Sequence, residues 1–284
     1  MRFGASTFIW TSPLTDAGAA ELAPRIARLG FDVLEACVED PAHVSADGLR
    51  RACEPAGLGI AVCGAFGPDR NLSHADPAVR AQGLEYLRAC IDLAAAVGAP
   101  DVIGPMYSAV GETELLAPDD RERQRERAAA ALREAAAYAG ERGVGLALEP
   151  LNRFETDLVN TVEQGLELCE RIGAGNVGLL LDTFHMNIEE KDLAAAVGAA
   201  GAAGRLRHFH ACENDRGTPG TGHVGWDTVL PALAATGFDG IVSVESFTPD
   251  NQAIARAVSL WRPLDAAPDE LAGGGLAFLR ERLG

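Results

Sequence analysis

What this chain lacks narrows its role before any motif is read. Of its 284 residues only 24 are Lys or Arg, against 41 Asp and Glu, and the formal net charge of −17 repels phosphate backbones and anionic lipid. Nucleic acid and membrane surfaces are therefore poor partners, and a neutral small molecule is easier to accommodate. The six cysteines, Cys37, Cys53, Cys63, Cys90, Cys169 and Cys212, form no CxxC pair and no close cluster, which suits thiols kept reduced in a cytoplasm. No apolar run reaches about 18 residues, and the opening MRFGASTFIW has no basic stretch followed by an apolar one, so neither a membrane span nor an export signal is expected. No linker or low-complexity tract interrupts the chain, and one catalytic domain over residues 1–284 is expected.

What is present is an unbroken alternation of strand-like and helix-like segments. Short β-prone runs at 3–10, 32–38, 59–66, 100–105, 145–148, 177–181, 206–212 and 241–247 read as strands. Between them, 15–29, 45–56, 76–97, 119–142, 161–172, 192–203, 226–236 and 251–261 read as helices, with Ser45 as an N-cap and Gly30 and Gly98 as stops. The 119–142 segment is rich in Ala, Arg and Glu with opposite charges three or four positions apart, the mark of a solvated outer face. The stretches FHMNIEE and ENDRGTPGTGHVGW read as loops. This pattern predicts a single (β/α)₈ barrel with an extra C-terminal helix, 269–283, docked across its outside or bottom.

The chemistry gathers at one rim. Two apolar runs, 145–148 and 177–181, each end abruptly in a carboxylate, Glu149 and Asp182, as strands buried on both faces would. RHFHAC then carries His208 and His210, and IVSVESF carries Glu245. The steps Glu149 to Asp182, Asp182 to His210 and His210 to Glu245 are 33, 28 and 35 residues, close to the roughly 35 residues of one barrel unit. Two Glu, one Asp and one His make a mixed oxygen and nitrogen set suited to Mn²⁺, Mg²⁺ or Co²⁺ more than to a thiolate-rich structural zinc site. Such an ion can chelate adjacent sugar oxygens and stabilise an enediolate. The plainer reading, four unrelated groups capping strand ends, leaves buried carboxylates uncompensated.

These residues also carry a resemblance. The strings EPLNRFE, LDTFHMNIEE, HFHACENDRGTPGTG and VESF resemble the ketose 3-epimerases, the D-tagatose and D-psicose (D-allulose) 3-epimerases of the xylose isomerase-like superfamily. The likeness runs from GFDVLE and NLS to WRPL and covers most of the chain. It implies metal ligands Glu149, Asp182, His210 and Glu245, with Glu149 and Glu245 doubling as acid/base groups on opposite faces of the sugar. It further implies that Glu155, His185 and Arg216 hold the carbonyl end of the substrate, and that the protein is a homodimer or homotetramer. From the residues alone His208 and His210 compete, as imidazoles taken to face opposite sides of one strand. The resemblance selects His210, six residues before Arg216, and leaves His208 to pack outward or to support the site.

The implied reaction removes the C3 hydrogen of a free ketose (D-tagatose, D-psicose, D-fructose or L-ribulose) to give a cis-enediolate, and returns a proton from the opposite face. A single base would return it to the same side. Weaker features surround this core. GTPGTG lacks the Lys of a phosphate-binding loop, Glu35 stands as a site contact or an ion pair, and Trp10, Phe66, Tyr107 and Phe247 are either an apolar wall over the sugar or ordinary packing. Ser6 stands where some D-psicose epimerases have an aromatic residue. Arg216 by itself would read as a surface loop cation. Two other readings remain open. One is an aldose–ketose isomerase of the same superfamily, such as a hydroxypyruvate isomerase; the superfamily's abasic-site endonucleases need a His-rich zinc cluster and a basic surface, where this chain has six His. The other is a non-catalytic sugar-binding protein, which needs no opposed carboxylates.

Overall fold

The computed structural model describes residues 1–247, 255–256, 258–263 and 267–284. Eight parallel strands close into a barrel in chain order: β1 Arg2–Ser6, β2 Val33–Val38, β3 Gly59–Gly64, β4 Asp101–Gly104, β5 Gly145–Leu148, β6 Val177–Asp182, β7 Leu206–Ala211 and β8 Ile241–Val244. The seam is β1 on β8, with Phe3 opposite Val242 and Ala5 opposite Val244. Strands β2, β4, β5, β6 and β8 are buried along their whole length, which is why they read as predominantly apolar runs, with Glu35, Asp101, Asp182 and Ser243 as buried polar exceptions.

The helices begin and end where capping chemistry puts them. α1 Asp16–Leu29 is capped by Thr15, whose hydroxyl accepts from the Gly18 amide at 3.1 Å, and Gly30 ends it at φ 101°. α2 Ala46–Cys53 starts on Ser45, α3 Pro77–Val97 on Asp76, and α5 Val162–Ile172 on a capping box of Thr161 and Gln164. α4 Pro118–Gly140 buries an alanine-rich face and offers the other to exposed ion pairs, Arg171 reaching Glu122 and Glu126; such pairs contribute little individually. α7 Leu193–Ala202 and α8 Trp226–Ala235 complete the ring. Of the helix expected over 251–261, residues 251–254 and 257 lie outside the described residues, and 255–256 are helical.

The closing helix, α9 Pro268–Leu283, lies on the outside of the barrel against α1, α8 and β8. It is pinned by Asp269, which accepts from Arg25 at 2.6 Å and from the Trp10 indole at 2.9 Å. Among the described residues no helix is long and apolar enough to cross a membrane.

Several strand and helix ends differ from the sequence reading by one to three residues, and two larger departures shape the rim. The first strand stops at Ser6, not residue 10, because Thr7–Ile9 forms a 3₁₀ turn. The Thr7 hydroxyl accepts the Cys37 amide (3.1 Å), and the Thr7 carbonyl accepts from Trp10 and Thr11. The stretch read as a loop after β6 is instead a helix, α6 Thr183–Glu189, capped by Asp182, whose Oδ1 accepts the Phe184 amide at 2.6 Å. Asp182 thus spends one oxygen on its own helix, while the other, Oδ2, accepts from Arg216 Nη1 at 2.8 Å.

Candidate metal centre and active site

Glu149, Asp182, His210 and Glu245 meet at the C-terminal mouth of the barrel, their candidate ligand atoms all within 4.8 Å of one another and every side chain buried. The strands deliver them: Asp182 and His210 lie on β6 and β7, which pair directly at these two residues, and Glu149 and Glu245 are the first residues past β5 and β8. Nδ1 of His210 stands 3.5 Å from Glu245 Oε2 and 3.8 Å from both Glu149 Oε1 and Asp182 Oδ2. It has no hydrogen-bond partner among the described residues. A buried nitrogen aimed at three carboxylate oxygens, too far to bond any of them, fits a divalent cation of mixed oxygen and nitrogen preference.

The electrostatics agree with that fit. Burial pushes Glu149 well above the usual carboxylate range; His210 draws it back, and Glu245 and Asp182 add to the rise. Burial acts the same way on Asp182, but Arg216, His210 and His185 hold it well below its ordinary value. Crowded, desolvated carboxylates are costly unless positive charge stands among them.

On the opposite side of the barrel Glu35, wholly buried on β2, receives both histidines of β7. Its Oε2 lies 3.0 Å from His208 Nε2 and 3.2 Å from His210 Nε2. Burial raises this carboxyl, yet the charges and hydrogen bonds of the two imidazoles hold it well below the usual range. Holding His210 by Nε2 orients the ring and presents Nδ1 to the cluster, the usual arrangement behind a metal-binding histidine. His208 does not pack outward. Residues two apart on a strand share a face, so both imidazoles point into the barrel, their ring centroids 5.2 Å apart, and His208 braces Glu35 and Ser243.

Arg216, Glu155 and His185 occupy the same mouth at different depths. Arg216 is only 3% exposed, which excludes a surface cation. Its Nη1 bonds Asp182 Oδ2 at 2.8 Å and Glu245 Oε2 at 2.9 Å, and its plane rests 4.0 Å from the Phe184 ring. His185 Nδ1 accepts from the Asn152 amide (3.0 Å), which turns Nε2 towards Glu149 at 3.8 Å; burial lowers its pKa to about 3, so the ring is neutral. Glu155 does not touch the four-residue cluster and bonds the Asn152 side chain at 2.8 Å. Asn152 is the link that the sequence reading passed over, although it stands inside the same EPLNRFE string. Of the four aromatics, Phe247 alone lies at the site, 5.4 Å from Phe8 by ring centroids and 5.0 Å from Arg216. Tyr107 bonds the Glu149 and Val159 carbonyls from beneath, Phe66 packs on Tyr86, and Trp10 faces α9.

The Gly-rich loop after β7 is folded around its own carboxylate. Glu213 accepts from the amides of Gly220 (2.8 Å), Val224 (3.0 Å) and Asn214 (3.1 Å), and from the Trp226 indole (2.9 Å). Of the GTPGTG amides, Gly220 is thereby spent on Glu213, and Gly217 donates to Asp215. Gly220 is required at φ 90°, where a Cβ would also collide with the Phe278 ring. Arg216 sits at φ 65°, its carbonyl held by the Ser246 hydroxyl at 2.6 Å. Glu213→Ala is therefore expected to cost about 3 kcal/mol, since it leaves the buried Val224 amide and Trp226 indole unsatisfied. Denaturant unfolding measures this, and a loss under about 0.5 kcal/mol would mean that the loop is held by something else.

Comparison with known proteins agrees with this fold. The profile of the family described as xylose isomerase-like TIM barrel matches residues 23–282. The chain is 36% identical over 280 residues to the L-ribulose 3-epimerase of Mesorhizobium japonicum, covering 98% of this chain and 93% of the relative. It is 32% identical over 270 residues to the D-psicose 3-epimerase of Agrobacterium fabrum, covering 92% of each. The solved structure of the D-allulose 3-epimerase from Methylomonas sp. in complex with D-allulose superposes with a TM-score of 0.93 at 31% identity, over 99% of this chain and 97% of that one.

Proposed function

The chain belongs to the xylose isomerase-like TIM-barrel family and, within it, to the ketose 3-epimerases, and from that premise we propose that it inverts C3 of free ketoses, with Glu149 and Glu245 as the two acid/base groups. The observation that carries the reading is the cluster of Glu149, Asp182, His210 and Glu245 around an imidazole nitrogen that has no hydrogen-bond partner among the described residues. Held by these four residues, a divalent ion, Mn²⁺ before Co²⁺ or Mg²⁺, would offset the charge that develops on O2 and O3 when the C3 hydrogen leaves.

The protein's own groups do the rest. Glu149 and Glu245 follow strands on different sides of the mouth, β5 and β8, so one removes the C3 proton and the other returns a proton to the opposite face. Burial keeps the Glu149 carboxyl close to accepting a proton, which suits a group that must alternate between base and acid. Arg216 and His185 turn nitrogen atoms towards the cluster and hold the C1 and C2 oxygens, with Glu155 behind them. L-Ribulose and D-psicose, the substrates named for the relatives, head the set to be screened, followed by D-tagatose and D-fructose. Ser6 is buried on β1, its hydroxyl 3.2 Å from Cys37 Sγ.

We place the enzyme in the cytoplasm as a single domain over residues 1–284, consistent with six free, buried thiols. We further propose a homodimer or homotetramer, to be read from the mass of the protein in solution.

The alternative, an aldose–ketose isomerase, shares the enediolate but exchanges hydrogen at C1. Each ketose incubated with enzyme and Mn²⁺ in D₂O should acquire deuterium at C3, because a proton held on a carboxylate exchanges with solvent before it is returned. Deuterium at C1 alone, with aldose as product, rejects the epimerase.

A further inference from the structure

The barrel interior holds a second group of potential ligands with a different chemistry. Cys37 and Cys63 stand directly opposite each other in the β2–β3 register, and with Glu35 they bring two sulfurs and a carboxylate oxygen within 4.8 Å of one another, all three residues buried. Glu35 and Cys37 are two apart on β2, so they share the inward face. Ser6 Oγ lies 3.2 Å from Cys37 Sγ and adds an oxygen beside the pair. One oxygen of Glu35 is taken by His208 and His210. The other, Oε1, is buried and accepts no hydrogen bond among the described residues, although His210 Nε2 passes at 3.1 Å without bonding geometry.

A set of two thiols and one carboxylate discriminates by softness. Mn²⁺ and Mg²⁺ prefer oxygen and imidazole, whereas thiolates select zinc and its heavier, softer congeners. The mouth of the barrel also concentrates negative charge in Glu149, Asp182 and Glu245, which draws any cation inward. We propose that Cys37, Cys63 and Glu35 form a second cation site, selective for thiophilic divalent ions of the zinc and cadmium class and separate from the four-residue centre. Binding exchanges two thiol protons for one ion, forming two metal–sulfur bonds and using the free Glu35 oxygen. Because the other oxygen of Glu35 orients His210, an ion at the thiols also perturbs the ring that serves the first centre; this last step alone rests on the proposed function.

Cadmium is the probe, because its bonds to thiolate absorb in the ultraviolet and report on sulfur ligation whether or not the enzyme turns over. Titrating the Mn²⁺-loaded protein with Cd²⁺ should develop that absorption to an end-point of one ion per chain, while elemental analysis finds the manganese retained. Cys37→Ser and Cys63→Ser, and the corresponding alanine variants should either serine misfold, should each abolish the band. Cys53→Ser, in α2, should keep it. The critical control is Cys212, whose sulfur lies 3.2 Å from Asp182 Oδ2 and could meet an ion placed at the first centre. A band lost in Cys212→Ser but kept in Cys37→Ser and Cys63→Ser, or cadmium uptake with equivalent loss of manganese and no thiolate absorption, overturns the proposal. Should the protein retain no manganese at all, the same titration of the metal-free protein still decides the thiol site, so the two readings fail separately.

Discussion

Stripping the protein of divalent ions should abolish epimerisation, and His210→Ala should do the same by weakening the site itself. A cation that offsets charge on two sugar oxygens supplies several kcal/mol of transition-state stabilisation, so its loss is expected to lower turnover by roughly a thousandfold or more. Readdition of Mn²⁺ or Co²⁺ restores the wild type but not the variant. The ion also binds only the folded chain, and at about a hundred times its dissociation constant it adds about 2.7 kcal/mol of stability, so chelation should lower the melting temperature. His208→Ala separates the two imidazoles. It removes one support of Glu35 but leaves His210 bonded to that carboxylate and Nδ1 still aimed at the cluster, so metal content should fall less than in His210→Ala. Asp182→Asn loses the charge that both Arg216 and the ion require, and should resemble His210→Ala. Full activity in protein shown by elemental analysis to be metal-free would sink the metal centre, and metal loss in His208→Ala but not in His210→Ala would reverse the assignment of the pair.

How far the site could be read from sequence depends on the range of the interaction that makes it. The barrel was legible because each buried parallel strand is a local signal, an apolar run such as 177–181 closed by a carboxylate, repeated at nearly constant spacing. The helix starts at Thr15, Ser45 and Thr161 were legible for the same reason, since a cap and its amides are neighbours in the chain. The helix after Asp182 was not, because TFHMNIE carries little apolar periodicity and owes its start to one aspartate oxygen that the sequence assigns equally well to a metal. The inward turn of His208 was available from strand period alone. What holds it there is not local, for Glu35 lies 173 residues away in the chain and meets the β7 histidines only because the barrel closes. Arg216 illustrates the same limit. A cation in a Gly- and Pro-rich loop reads as solvent-exposed, and its burial goes with Glu213 gathering that loop and with Ser246, just past β8, fixing the Arg216 carbonyl, a contact that is not local in the chain.

Replacing Glu149 or Glu245 by glutamine tests the step on which the whole reading turns. Gln keeps the size and one ligating oxygen but cannot accept the C3 proton, so each variant should lose net epimerisation by roughly 10² to 10⁴-fold, the range for removal of a general acid or base. Metal content must be measured beside activity, since both residues also face His210 Nδ1 at 3.8 and 3.5 Å; a variant that has lost its ion says nothing about proton transfer. In variants that keep it, the two losses should differ in kind. An enzyme left with one working carboxylate can still remove the C3 proton on the face that carboxylate serves, exchange it in D₂O, and return a deuteron to the same side. Deuterium then enters C3 of the starting sugar with configuration retained, while its epimer does not form. With D-psicose and D-fructose as the two members of one epimeric pair, Glu149→Gln should label one sugar and Glu245→Gln the other, because inversion at C3 exchanges the face on which the hydrogen stands. If both variants label the same sugar, or if either one alone still interconverts the pair at the wild-type rate, the carboxylates do not act from opposite faces and the two-base mechanism is wrong.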